Sequence, residues 1–241
     1  MSIPSSLSLV QLHSGQMQVF QSPHRFKVVC AGRRWGKSRL SISTIIRAAA
    51  KERKQRVWYV APTYQMARQI LWDDLQEVLP RKWIRKKNDT TMTIVLKNGS
   101  EIALKGADKP DTLRGVALHF VVLDEFQDMK PDTWYKVLRP TLSSTRGGAL
   151  IIGTPKGFSE FHKLWTIGQN KELQRKGQWK SWQFVTADSP FVPTAEIEAA
   201  KNDMDPKSFA QEYLASFENM SGRVYYPFDR SVHVKPLQFN P

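Results

Sequence analysis

The sequence predicts an α/β protein built on a mostly parallel sheet flanked by helices. Three observations predict it. Between residues 25 and 186, short apolar runs alternate with longer amphipathic stretches. HFVVLDE (119–125) and ALIIGT (149–154) are continuous apolar runs of the kind found in buried parallel strands. RFKVVCA (25–31) runs into a glycine-bearing, basic loop, CAGRRWGKSRL, with a helical pattern after it.

In order along the chain, RFKVVCA is the first strand, and Lys37 to about Glu52 the helix that follows it. That helix buries Leu40, Ile42, Ile45 and Ile46, and its basic end suits the negative pole of a helix dipole. VWYVAP (57–62) is a second strand, stopped by Pro62. Thr63 caps a helix from Tyr64 to about Leu79. TMTIVLKNGSEIALK (91–105) is two alternating runs around Asn98-Gly99, a hairpin signal. After the strand 119–125, a helix begins near Pro131 and ends at Pro140. ALIIGT is a further strand, and Ser181 to Val185 the last one. The character changes at Ala187-Asp188-Ser189-Pro190, where two helical stretches follow, about Thr194–Met204 and Pro206–Phe217.

Composition sets the bounds. The chain has 241 residues, 41% hydrophobic with 12 Phe and 8 Trp, enough for a large packed core and against disorder. Its 36 Lys and Arg against 22 Asp and Glu leave +14, which favours a polyanionic partner such as nucleic acid. One cysteine, Cys30, cannot form an internal disulfide or a cysteine metal cluster. No signal peptide is expected at the N-terminus, and no apolar run reaches the roughly 20 residues that span a bilayer.

The loop after the first strand ends like a P-loop, but Ala31 stands where the opening glycine belongs. Such a loop wraps phosphates with backbone N–H groups at a helix N-terminus. Alanine obstructs that turn least among side-chain-bearing residues. Lys37 would reach the β and γ phosphates, and Ser38 would hold Mg²⁺. HFVVLDE delivers Asp124 and Glu125 to the carboxyl end of a buried strand, where ligands of open α/β sheets bind. Asp124 is placed to anchor Mg²⁺ through water, and Glu125 to activate the attacking water. Thr154, in IIGTPKG, can hydrogen-bond the γ-phosphate or Glu125 and so couple nucleotide state to movement. A guanine-reading NKxD is absent, since Asn170-Lys171-Glu172-Leu173 lacks the aspartate. The reading is an ATP hydrolase of the motor kind. A helicase or other nucleic-acid remodeller is the alternative.

AGRRWGKS, VVLDEFQDM and IGTPKG together resemble the ATPase of the large terminase subunit of tailed bacteriophages, the motor that pumps DNA into proheads. The resemblance covers nearly the whole chain. LHSGQMQVF is similar to the segment whose glutamine reads adenine, matching Gln16. APTYQMARQILW and DTLRG are similar to the stretch after the second strand and the turn before the acidic strand. ADSPFVP and FAQEYLASF look like the linker that joins motor to nuclease.

The resemblance implies an ASCE/RecA-like P-loop NTPase over 1–186 and a helical linker subdomain over 187–241. It implies an RNase H-like nuclease beginning beyond residue 241. Its nucleotide contacts would come from Gln16, Gly32, Arg33, Arg34, Trp35, Gly36, Lys37, Ser38 and Arg39, with ATP and Mg²⁺ as cofactors. The implied partners are double-stranded DNA, further copies in a ring on the portal of the prohead, and the small terminase subunit. No membrane is involved, and the implied place is the host cytoplasm during virion assembly. Arg139, in WYKVLRPTLSS, is the candidate arginine finger supplied to a neighbouring subunit, with Arg114 of DTLRG as the alternative.

Three further readings come from the residues. Trp83 and the cations of RKWIRKK (81–87) read as a solvated helix end that can contact DNA. Tyr64 is explained equally by a nucleotide or DNA contact and by a helix start. His13 and His24 are isolated and carry no assignment.

Overall fold

The computed structural model describes residues 10–217. The chain opens with α1 (Ser14–Gln21), then β1 (Phe26–Ala31), α2 (Lys37–Lys51) and β2 (Arg56–Ala61). Thr63 does cap the next helix, its Oγ1 accepting from Met66 N at 3.1 Å. That helix is α3 (Tyr64–Ala67), a widened π turn over Arg68–Trp72, and α4 (Asp73–Val78). The hairpin side follows, with β3 (Ile84–Asn88), β4 (Thr93–Leu96) and β5 (Glu101–Gly106). Then come β6 (Phe120–Asp124), a helix ending in the short α5 (Arg139–Thr141), and β7 (Gly148–Gly153). Helices α6 (Glu160–Gln169) and α7 (Lys171–Arg175) lead to β8 (Trp179–Phe184), and α8 (Thr194–Asp203) and α9 (Pro206–Glu212) close the described chain.

The eight strands form one sheet in the order β3-β4-β5-β2-β6-β7-β1-β8. Strands β5, β2, β6, β7, β1 and β8 are parallel, and β3 and β4 are antiparallel. The core lies on both faces because alternate residues of each buried strand point opposite ways. Val29 and Ala31 of β1 pack with Leu40 and Ile45 of α2, while Phe26, Val28 and Cys30 pack with Trp134 and Phe161 on the other side. Asn98 of the hairpin turn donates to the carbonyls of Ala49 (2.9 Å) and Glu52 (3.1 Å). It thereby satisfies two of the carbonyls that the end of α2 leaves open.

Two sequence expectations need correction. Residues 81–87 are not a helix end. A short 3₁₀ turn, Arg81–Trp83, leads into the edge strand β3, and Trp83 packs half-buried against the core. Nor does Pro140 end its helix. The chain widens to a π-helix over Thr133–Leu138 and carries Pro140 inside α5. The widened turn relieves the clash and the missing N–H that proline brings to a helix.

Lys27 crosses the buried middle of β1, is 3% exposed, and donates from Nζ to Val19 O at 2.9 Å. Burial, with Arg47 nearby, lowers its pKa to about 7 from about 10.5. A lowered lysine pKa means the unfolded chain holds a proton that the folded one lacks between those values. Stability should therefore rise with pH from about 7 to 10.5 and be flat below. Lys27→Met should remove this slope, changing the stability difference between variant and parent by on the order of 5 kcal/mol across the window. Urea unfolding at several pH values measures it, and an unchanged slope would show that the ammonium is solvated.

Candidate nucleotide-binding and hydrolytic site

Ala31 is the last residue of β1 and is fully buried among core side chains. Its position belongs to the strand, not to the turn, so the missing glycine costs the loop nothing. The tight turn begins at Gly32, where a Cβ would lie 2.5 Å from Thr186 Oγ1 and 2.7 Å from Tyr213 O. It ends at Gly36, whose φ of +103° favours glycine and where a Cβ would meet Gln16 Nε2 at 2.3 Å. Between them Arg34 takes φ +61° and faces solvent. Trp35 turns inward, stacked on Phe184 with centroids 4.6 Å apart and met edge-on by His13 at 5.0 Å.

Helix α1 holds this loop from behind. His13 Nε2 lies 3.0 Å from Trp35 O, and Gln16 Nε2 donates to Gly36 O at 2.8 Å. Gln16 Oε1 accepts from His13 N at 3.0 Å. Gln16 is fully buried with both ends of its amide engaged, so it braces the loop and does not line the cleft. His13 shares that work, and only its proximity to Trp35, invisible in sequence, reveals it.

Sheet order assembles the rest. β7 lies between β6 and β1, with Asp124 opposite Ile152 and Cys30 opposite Gly153. Thr154 therefore stands between the acidic strand end and the loop. Lys37 Nζ donates to Thr154 Oγ1 at 2.9 Å and lies 3.9 Å from Glu125 Oε1. Thr154 Oγ1 donates in turn to Ala31 O at 3.2 Å. The hydrogen bonds of Thr154 thus go to Lys37 and Ala31, with Lys37 as the link towards Glu125.

Asp124 is 1% exposed. Its Oδ2 accepts from Tyr59 Oη at 2.7 Å and its Oδ1 from Glu125 N at 2.9 Å. Burial first, then the charge of Glu125, pushes its pKa up to about 6. Glu125 sits at φ +51°, a left-handed conformation that a non-glycine residue adopts only when its surroundings hold it there. Gln127 supplies part of that hold, donating from Nε2 to Glu125 Oε2 at 2.6 Å. The room for it comes from Gly153, where a Cβ would lie 2.1 Å from Gln127 Oε1.

These groups border an open cleft of about 920 Å³. Of the residues expected from sequence, Arg33, Arg34, Gly36, Lys37, Ser38, Arg39, Glu125 and Thr154 line it. Gly32, Trp35, Gln16 and Asp124 stand behind its wall. Sequence reasoning missed Gln127, Asp128, Lys156, Met66, Ile70, Phe191, Gln211 and Glu212, which also line it. Glu212 matters most of these, because Arg33 Nε meets its Oε2 at 2.5 Å and Arg33 N donates to its carbonyl at 2.7 Å. The end of α9 is thereby fastened to the loop.

Arg139 lies elsewhere. It is half-buried, with Cζ 4.9 Å from the ring of Phe26, at the end of β1 opposite the loop. Arg114 is exposed, donating from Nε to Asp111 Oδ1 (2.8 Å) and from Nη1 to Lys136 O (3.1 Å). Neither lines the cleft of its own chain. Tyr64 is also directed elsewhere, its hydroxyl donating to Thr90 O at 2.7 Å.

Comparison with known proteins places this geometry. The family described as terminase large subunit, T4likevirus-type, N-terminal, matches residues 28–231. The large terminase subunit of Escherichia phage T5 is 31% identical over 219 residues, 89% of this chain and 49% of that protein. The chain thus spans about half the length of the curated relatives it matches. The large terminase ATPase domain of Thermus phage P74-26 superposes with a TM-score of 0.73 at 26% identity, over 86% of this chain and 94% of that one. The large terminase of a thermophilic bacteriophage, solved with ADP, shares the fold with a TM-score of 0.73 at 18% identity, over 95% of this chain and 60% of that one. On a match that takes in the loop, the acidic strand and the turn after β7, this chain belongs to the terminase large subunit family, within its N-terminal part.

Proposed function

We propose that this chain is the ATP-hydrolysing motor of a phage DNA-packaging terminase, driving double-stranded DNA into the prohead as one subunit of a ring. The observation that carries the reading is the meeting of Lys37, Thr154 and Glu125 at the strand ends, within 3.9 Å of one another through Lys37. The first-turn N–H groups of α2 have no intrahelical acceptors and would cradle phosphate, with Lys37 carrying the charge opposite the β and γ groups. Glu125, aimed by Gln127, would take a proton from the attacking water.

The residues also fit a magnesium ion. Ser38 offers a hydroxyl on the cleft wall, and Asp124, buried behind that wall with two hydrogen bonds orienting its carboxylate, would hold the ion through water. Asp124 and Glu125 are adjacent acids whose crowding a cation would relieve. Bound there with nucleotide, Mg²⁺ would neutralise phosphate charge.

DNA contact is supported by the net charge of +14 and by a basic edge on β3, where Arg85, Lys86 and Lys87 are exposed beside Arg81 and Lys82. Cations on an edge strand also guard it against pairing with other chains. Of the two finger candidates, the exposed Arg114 is better placed than Arg139 to reach a neighbouring subunit. The small terminase subunit and the portal belong to the same reading, as does the host cytoplasm. Among the described residues no helix is long and apolar enough to cross a membrane.

The test is ATP hydrolysis measured with and without double-stranded DNA across protein concentration. Turnover per subunit should rise with concentration and with DNA, and DNA stimulation should fall steeply with salt. Absence of hydrolysis at concentrations where subunits assemble would sink the reading.

A further inference from the structure

The cleft lining mixes two kinds of side chain. Lys37, Glu125, Gln127 and the ion pair Lys156–Asp128 at 2.9 Å are its charged and polar part. Arg39, from the first turn of α2, and Phe191 also line it and lie against each other. Phe191 lies in the segment that follows β8 and is 59% exposed. Its ring faces the Arg39 guanidinium, with Cζ 5.4 Å from the centroid.

We propose that Phe191 and Arg39 form the nucleoside end of the cleft, with Phe191 as a stacking face for a purine base. The inference rests on the nucleotide reading above. Lys37 fixes the β and γ phosphates at the charged end, so the ligand must leave the loop along the first turn of α2. Ser38 and then Arg39 are the next residues on that path. A base arriving there meets an aromatic ring and a guanidinium plane, which together suit a flat π system. An aromatic ring left in water at a cleft mouth gains from being covered. Gln16, the residue expected to read the base, is occupied behind the loop and leaves this end to other side chains.

The experiment is calorimetric titration, in Mg²⁺, with ADP and separately with tripolyphosphate, which has phosphates and no base. The parent should bind both, ADP more tightly. Phe191→Ala should weaken ADP by roughly 10-fold or more, the scale of one base–aromatic stack, and leave tripolyphosphate unchanged. Phe191→Trp should restore ADP affinity. Phe191→Ala with parental ADP affinity would overturn the inference, as would an equal loss of both ligands, which would mark Phe191 as merely structural. A parent that binds tripolyphosphate as tightly as ADP would overturn the base site while leaving the phosphate site standing. A parent that binds neither would remove the nucleotide reading itself, and this inference with it.

Discussion

Glu125→Gln should bind ATP as the parent does and hydrolyse it about 10² to 10⁴ times more slowly, the usual contribution of a general base. The amide keeps the shape of the side chain and can still meet Gln127, so the left-handed backbone at φ +51° should persist. Lys37 keeps its hydrogen bond to Thr154 at 2.9 Å, and Asp124 keeps Tyr59 at 2.7 Å. What disappears is the carboxylate that accepts the proton of the attacking water. Single-turnover kinetics with a separate binding titration resolves the two effects. Hydrolysis at the parental rate would mean that another group activates the water. The same variant also tests the finger. Mixed with Arg114→Ala it should recover some activity, because some interfaces then pair an intact Glu125 with an intact Arg114. Arg139→Ala by itself should keep hydrolysing, because it retains both Glu125 and Arg114 and loses only a contact to Phe26. A folded but inactive Arg139→Ala that recovers on mixing with Glu125→Gln would reverse the assignment.

Lys37→Ala should lose most nucleotide binding. Its ammonium is the one lysine charge held at the centre of the constellation, between Thr154, Ala31 O and Glu125. Without it, phosphate would face the charge of Glu125 with much less compensation. Losing one such charged contact in a partly desolvated site costs on the order of 10² to 10³ in affinity or rate. Thermal stability should change little or rise, since the lysine is held for a ligand. Titration with a fluorescent ATP analogue measures the loss, and parental affinity would defeat the phosphate-loop reading.

Much of the sheet was legible because buried parallel strands write themselves as apolar runs. β1, β2, β6 and β7 stand within a residue or two of their expected places, and the Asn98-Gly99 hairpin formed as its turn chemistry requires. β3 was not legible. Ile84 is its only apolar residue, since an edge strand with solvent on its outer side needs no apolar alternation. Helices α6 and α7 drew no assignment, and the helix through Pro140 was cut short because proline usually stops a helix. A π-widened turn, which no local residue pattern announces, carried the chain through.

By itself the sequence determined the strand–loop–helix around Lys37, the acids ending the β6 strand, and the positive charge of the chain. These depend on residues close in sequence, whose backbone preferences and hydrophobic periods act locally. Only the tertiary structure decided that Ala31 belongs to a strand, that Gln16 braces the loop, and that Thr154 stands beside Lys37. It also decided that Gln127 aims Glu125, that Glu212 ties α9 to Arg33, and that Phe191 comes to the cleft. Each of these joins residues whose spacing along the chain says nothing of their distance in space. That distance follows from placing β7 between β6 and β1 and from folding α9 back onto the loop, choices made by packing the whole core at once.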